Sequence, residues 1–311
     1  MATMVRAAFP DWETTAALPW LKAVVESGRK KQPEWFTDVF RMESTDRPHE
    51  QYTTIAKFGT MVETNEGSAV TYDVALQGFD KTLTPVDYSL GFKISHRAFH
   101  DDKIGALTNM ASDLGWSHTE SRNILTADIF NNGFDSAFTG ADGVELFSTA
   151  HVHEDGSTFR NELATSADFT ITSLRTAFVD FRNFRDGRGK RLNLQPEVIL
   201  SSNDLYWDIA EVLQSTDRPD TAERAKNVTT QYFGQGMLAK QKCTNYITDT
   251  DAWFLIAASK KMHGLTSYVR VPVKMAPRMQ DPFTGNWIYK IRFRQSWGAW
   301  MWQGTFGVAG A

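Results

Sequence analysis

Apolar and polar positions alternate most cleanly from Val86 to Ile94. Val86, Tyr88, Leu90, Phe92 and Ile94 share one parity, with Asp87, Ser89, Gly91 and Lys93 on the other, which predicts a strand. Strand-like runs at 52–63 and 69–77, separated by Asn65-Glu66-Gly67, predict a hairpin. Its polar content is too high for a strand buried on both faces, and an isolated two-stranded ribbon is marginal in water, so it should need a partner surface. Between His100 and Asn132 no proline occurs. There Ile104, Leu107, Ala111, Leu114, His118, Ser121, Leu125 and Ile129 recur at spacings of three and four, predicting one long helix that acts as a strut. Gly105 and Gly115 are expected to loosen it, and Gly133 to cap its end.

Residues 133–168, rich in Gly, Ser, Thr and Asp, read as a connector. A compact α/β segment follows. It has a helical stripe at Leu174, Phe178, Phe181 and Phe184, a buried strand over 196–200, and a helix over 203–214 capped by Ser201, Ser202 or Asn203. After a loop over 216–236, strands are expected at 243–247 and 253–257. An extended segment over 268–275 is interrupted by Pro272, which suits an edge strand. A turn over 281–286 then leads into a strand with Trp287, Tyr289, Ile291 and Phe293 on one face and Lys290, Arg292 and Arg294 on the other. The first 50 residues carry four prolines, the basic triplet Arg29-Lys30-Lys31 and isolated aromatics at Trp12, Trp20, Trp35, Phe36 and Phe40. They read as an arm that lies against its own chain or a neighbour.

Composition narrows the class. The 311 residues are 41% hydrophobic and 23% charged, enough for one large or two ordinary domains, which excludes wholesale disorder. The formal charge of -4 is too balanced for a dedicated nucleic-acid binder, so DNA contact is expected to be local or weak. Cys243 is the single cysteine, which excludes an intrachain disulfide and multi-cysteine metal sites and fits a reducing compartment. The longest apolar run, 252–258, is far short of the roughly 20 residues a membrane helix needs. The opening MATMVRAAFPDWETT lacks the apolar core of a signal peptide, so secretion by that route is not expected. Aromatics make up 13% of the chain, including 10 Trp, a content suited to large cores and subunit interfaces.

Candidate chemistry is sparse. His151, His153 and Glu154 form the densest set of metal-ligand types, and alternate histidines on a strand share a face; a metal-dependent hydrolase is therefore one reading. The helical H-E-x-x-H spacing is absent, and the flanking Gly156-Ser157-Thr158 reads as a solvated loop. His96 and His100 precede Asp101 and Asp102, acids that suit a helix's first turn. No G-x-S-x-G elbow occurs, and Cys243 has no nucleophile signature around it. The glycine-rich basic run over 185–191 lacks the phosphate-loop pattern and reads as a solvated turn able to meet phosphates or a neighbour's acids. No catalytic, cofactor or metal site is assigned, and the chain is read as a non-enzyme.

The element order is arm, hairpin, strand, strut helix, connector, α/β segment and long β return. With Gly91-Phe92-Lys93-Ile94-Ser95, the run AFTGADG at 137–143, LFSTAH at 146–151, NELA at 161–164 and TDTDAWF at 248–254, that order resembles the major capsid (head) protein of tailed bacteriophages, in particular the Mu-like head-subunit group. The resemblance spans roughly residues 18–308. It implies an α+β tailed-phage major capsid fold: an N-arm at 1–50, an extended loop at 51–80, a peripheral domain with a spine helix at 81–150 and 264–296, and an axial α/β domain at 151–263 and 297–311. It also implies self-assembly into hexamers and pentamers of an icosahedral head around double-stranded DNA held by weak, non-specific contact. Further expected partners are a separate scaffolding protein, since no long charged helical extension precedes the arm, a portal and a decoration protein. Location in the virion, assembly in the host cytoplasm and no membrane association follow. Some relatives crosslink the loop through a lysine; neither Lys57 nor Lys81 matches the reactive position, and no crosslink is assigned. An encapsulin-type nanocompartment shell, which shares the fold, is the alternative. In either case the outlying segments are expected to find their low-energy positions on sister copies.

Overall fold

The computed structural model describes residues 17–95, 97–98, 105–217, 226–232, 240–258, 260, 262–276 and 279–310. Trp12, His96, His100, Asp101, Asp102, Ile104 and most of the loop at 216–236 lie outside them. In chain order the elements are α1 (Ala17–Lys30), β1 (Arg41–Ser44), β2 (Glu50–Ala56), β3 (Leu76–Leu83), β4 (Val86–Ile94), α2 (Gly105–Asn131), β5 (His151–Val152), β6 (Thr158–Phe159), α3 (Ile171–Arg182), β7 (Pro196–Ser201), α4 (Tyr206–Gln214), α5 (Thr229–Tyr232), β8 (Lys240–Cys243), β9 (Trp253–Ala257), β10 (Leu265–Met275), β11 (Met279–Gln280), β12 (Trp287–Ala299) and β13 (Thr305–Val308). The mixture is α+β, as the resemblance implies.

The strand alternation of the sequence becomes the larger sheet. Its order is β1-β10-β12-β11, with β4 also paired to β12. β4 and β12 run antiparallel from Ile94↔Trp287 to Val86↔Gln295, so their apolar parities meet on one face. Phe92 stacks on Tyr289 and Tyr88 on Phe293, each pair with centroids 5.1 Å apart. Helices α1 and α2 cover that face, burying Leu21, Val25, Ala111 and Leu114 against Ile94, Tyr289 and Ile291. Pro272 sits where β10 has become an edge strand. β10 is internal where β1 pairs it from Thr266 to Val269, and Pro272 lies beyond that stretch, where the register to β12 shifts twice.

The second sheet, β13-β9-β7-β8, is the floor of the larger core. β9 is buried at every position and β7 at all but one, which explains why both read as continuous apolar runs. α3 starts with a capping box, Thr170 accepting from the Ser173 N–H while Ser173 accepts from the Thr170 N–H. α4 starts at Tyr206 without a side-chain cap. The expected cap residues are engaged elsewhere: Ser201 Oγ donates to Ser202 O, Ser202 Oγ donates to Thr250 O at 2.8 Å, and Asn203 pairs with Asn245. The stretch over 133–168 is more than a connector, for Leu146, Phe147 and Leu163 lie in this core.

The strut is real within the described residues, 27 residues and on the order of 40 Å long. It is buried on more than the one stripe: Thr119, Arg122, Asn123 and Thr126 are covered as well as Ala111, Leu114 and His118. The arm does this. Lys31 Nζ donates to Ser112 Oγ at 2.7 Å, Thr119 Oγ1 to Arg29 O at 3.1 Å, Trp35 Nε1 to Asn123 O at 3.3 Å, and Arg122 pairs with Glu34. Phe36, Val39 and Phe40 then drop into the larger core, with Arg122 over the Phe36 ring at 4.9 Å and Phe40 edge-on to Phe130 at 6.0 Å.

The glycines correct the sequence reading. Gly115 is a contact point: a Cβ there would lie 2.0 Å from Val25 O, and one on Gly28 would lie 2.1 Å from Ser112 O. Gly133 has no positive φ and so is no left-handed cap; its missing Cβ leaves room for the Phe147 ring, 2.6 Å away.

Gly115→Ala is expected to push α1 off α2 and destabilise the protein by about 1–3 kcal/mol, read by denaturant unfolding. A second expectation concerns acid. Burial, with the Arg29 and Arg122 guanidiniums, pushes His118 down to about 3, and burial with Lys260 pushes His263 down to about 4. Unfolded imidazoles protonate near about 6.5, so the unfolded state binds more protons below that pH. The contribution of these groups is therefore complete above the unfolded value and lost as pH falls toward the folded ones. His118→Leu should make the fall in melting temperature over this window shallower than in wild type.

Candidate assembly interface

The ribbon differs from the predicted hairpin. β2 and β3 pair from Glu50↔Leu83 to Ala56↔Leu76, with a shift between Thr53 and Ile55, and residues 57–75 form no ladder. The predicted turn survives, with Gly67 at φ +81 and Ser68 N–H donating to Asn65 O at 3.0 Å. The alternation at 69–77 has no sheet to face: Val70, Tyr72 and Val74 are 67%, 92% and 75% exposed. Periodicity marked an apolar side, and nothing among the described residues covers it.

The ribbon's root, by contrast, is fixed. Tyr52 stacks on Trp300 at 4.9 Å with 11° between rings, and Lys81 Nζ donates to Thr139 O at 2.6 Å. Thr54 Oγ1 donates to Glu154 Oε1 at 3.1 Å and accepts from the Phe79 N–H at 2.8 Å. The Glu154 carboxylate lies between two glycines, where a Cβ on Gly78 or Gly187 would come within 2.2 or 1.8 Å of it. A small cleft beside the root is lined by Phe79, Asp142, Glu145, His151 and Trp300 among others.

Farther out, the loop meets the basic turn over 185–191. Arg188 Nη1 donates to Asp73 Oδ2 at 2.5 Å, its other terminal nitrogen donates to Val74 O, and Lys190 Nζ donates to Phe58 O. Asp73 also accepts from the Gly59 N–H at 2.5 Å; that bond and Arg188 hold its carboxyl below the usual carboxylate range. The turn is thus engaged by its own chain rather than merely solvated. Arm and loop both touch their own body, contrary to the expectation that outlying segments settle only on sister copies. What stays uncovered is apolar: Phe58, Met61 and Val62 in the loop, Trp207 on α4, and Phe283 at the tip of the turn before β12, the last 95% exposed. Trp207 and Phe283 carried no sequence signal beyond their size.

The histidines of the densest cluster do not converge. His151 is sandwiched structurally, its Nδ1 2.6 Å from Asp142 Oδ2, its Nε2 3.0 Å from Asn161 Oδ1, and its ring stacked on Trp302 at 4.5 Å. His153 is buried edge-on to Phe159 at 4.5 Å, with neither ring nitrogen hydrogen-bonded, and burial pushes its pKa down. Glu154 Oε2 lies 4.0 Å from His153 Nδ1 but faces the ribbon. Among the described residues no group of three or more His, Cys, Asp or Glu is placed to hold a metal. Cys243, half-buried, sits 3.3 Å from Ser201 Oγ. Of the basic triplet, Arg29 pairs with Glu26 at 2.7 Å and Lys31 is bound to Ser112.

A family model described as phage capsid protein matches residues 79–307. No curated protein matches the chain. Among solved structures, the capsid of Myoviridae Phage XM1 aligns at a TM-score of 0.51 and 11% identity, covering 87% of this chain and 90% of that one. The capsid of Cyanophage P-SCSP1u aligns at 0.56 and 8% identity over 89% and 88%. A virus-like particle from Pyrococcus furiosus aligns at 0.51 and 9% identity over 94% and 100%. At such identities the likeness carries the fold.

His151→Ala is expected to leave Asp142 and Asn161 without their shared partner and to destabilise the protein by about 2–4 kcal/mol, measured by denaturant unfolding. Bound metal, by elemental analysis, should be unchanged.

Proposed function

The chain belongs to the phage capsid protein family as a structural, non-enzymatic major capsid protein, and from that premise we propose that it assembles as hexamers and pentamers of an icosahedral head around double-stranded DNA. The carrying observation is the family match over 79–307 together with a ribbon whose root is fixed by stacking and hydrogen bonds while its outer apolar side is bare among the described residues. Repeated under symmetry, weak contacts of this kind correct errors singly and hold collectively. In this reading 1–50 is the N-arm, 51–80 the extended loop, 81–150 with 264–296 the peripheral domain, and 151–263 with 297–311 the axial domain. Two separate apolar clusters, one under α1 and α2 and one around β7, β9 and β13, support the division. α2 belongs to both.

The near-neutral charge favours loose contact with packaged DNA, because each neutralised phosphate strengthens the grip. A separate scaffolding protein, a portal and a decoration protein complete the proposed partners, with assembly in the host cytoplasm. No helix among the described residues is long and apolar enough to cross a membrane. The likeness to the Pyrococcus furiosus virus-like particle favours a second reading, an encapsulin-type shell around protein cargo.

Purified protein, viewed by cryo-electron microscopy after expression with and without its neighbouring genes, is expected to form closed shells. Persistent monomers under all assembly conditions would overturn the reading. Shells that enclose a co-expressed protein instead of DNA would replace it with the second.

A further inference from the structure

We propose that strand β4 pairs antiparallel with β4 of a second copy about a two-fold axis at Leu90, so that the larger sheet runs on from one subunit into the next. The inference rests on the shell reading above. A closed shell needs head-to-tail contacts within each ring of subunits and self-complementary contacts between rings, and β4 supplies one of the second kind.

β4 is the long open edge of its sheet. β12 pairs it on one side from Val86 to Ile94 with no register shift, and among the described residues no strand pairs its other side. On the opposite side the sheet ends in β1 and β11, only four and two residues long. Edge strands are normally kept from pairing by short length, proline, bulges or a charge at the centre. β4 has nine residues, none of them proline, and its two charges lie near its ends. Its apolar parity is only partly covered. Tyr88 and Phe92 stack on Phe293 and Tyr289, whereas Val86 and Leu90 are each 52% exposed.

The strand is also self-complementary about its centre. Setting Leu90 opposite Leu90 of a second copy places Val86 against Ile94, Asp87 against Lys93, Tyr88 against Phe92 and Ser89 against Gly91. Directly opposed side chains share a face of an antiparallel pair, so apolar meets apolar, acid meets base and small meets small. Slipping the register by two residues either way removes the charge pair, because Asp87 then faces Gly91 or Ser95. Slipping by one sets apolar positions against polar ones. Both charges are available for the match. The Asp87 side chain is 67% exposed and 3.6 Å from Arg294 Nε, and that of Lys93 is 63% exposed and 4.0 Å from Asp281 Oδ2. Ile94 belongs to the cluster under α1 and α2, so each bare Val86 is brought to the margin of the second copy's core.

The test exchanges charge across the axis. Asp87→Lys and Lys93→Asp should each fold with a wild-type thermal melt yet lose closed particles, because like charges then meet twice at every axis. Co-expressed, the two variants should form mixed particles with both chains in equal number, and the double exchange Asp87→Lys/Lys93→Asp should form particles alone. Single variants that assemble like wild type would overturn the proposal, and so would a loss that neither combination restores. The register is read separately in a Cys243→Ser background. Leu90→Cys should give a disulfide-linked dimer on oxidation, since opposed residues of an antiparallel pair bring their Cα atoms to about 4.5–5.5 Å. Val86→Cys, on the same edge but off the axis, should stay monomeric. Closed particles in which Leu90→Cys yields no dimer overturn the pairing, whatever else lies along β4. A Leu90→Cys dimer without shells keeps the pairing and overturns the shell reading, and neither dimer nor shell overturns both.

Discussion

A long helix that cannot bury itself is the constraint on which this structure depends. α2 contributes Ala111 and Leu114 to the smaller core and Phe130 to the larger, so among the described residues it is the helix that joins both. Its middle carries His118, Thr119, Arg122, Asn123 and Thr126, which are too polar to face a greasy sheet and too enclosed to face water. The arm answers this in part with hydrogen-bonding groups and in part with the Phe36 ring under Arg122. Glu34 answers Arg122, Pro33 O accepts from Asn123 at 3.3 Å, and the backbone of Arg29 accepts from Thr119. Glycines at 28 and 115 let the helices approach closely enough for these bonds to form.

At the ribbon the balance of hydrogen bonds and apolar cover is different. At the ribbon root, aromatic stacking and hydrogen bonds act together, since Tyr52 lies on Trp300 while Thr54 is bonded to Glu154. Beyond Ala56 the chain loses its strand pairing and its apolar cover, and a few bonds such as those of Arg188 to Asp73 and Val74 remain. A segment of that kind is held by directional contacts worth little individually in water.

The histidines make the limits of composition clear. Two imidazoles and a carboxylate between His151 and Glu154 are a fair beginning for a metal site, but their hydrogen-bond partners decide otherwise. Asp142 and Asn161, nine and ten residues away, take both nitrogens of His151. Trp302, from the far end of the chain, flattens against its ring. His153 turns into an aromatic pocket, and Glu154 turns toward Gly78 and Gly187.

Period and composition by themselves determined the strand at Val86–Ile94, the long helix, the buried strands at Pro196–Ser201 and Trp253–Ala257, and the α+β order of parts, because these depend on which residues recur at spacings of two or of three and four. The sequence also marked the ribbon as a segment with an unfinished surface. Only the tertiary structure decided where that ribbon stops pairing, that Gly115 is a crossing point and Gly133 no cap, that β10 is internal ahead of Pro272, and that Arg188 holds Asp73. Each of these turns on atoms brought together from distant parts of the chain, and a local pattern carries the propensity of a segment but not the identity of what will lie against it.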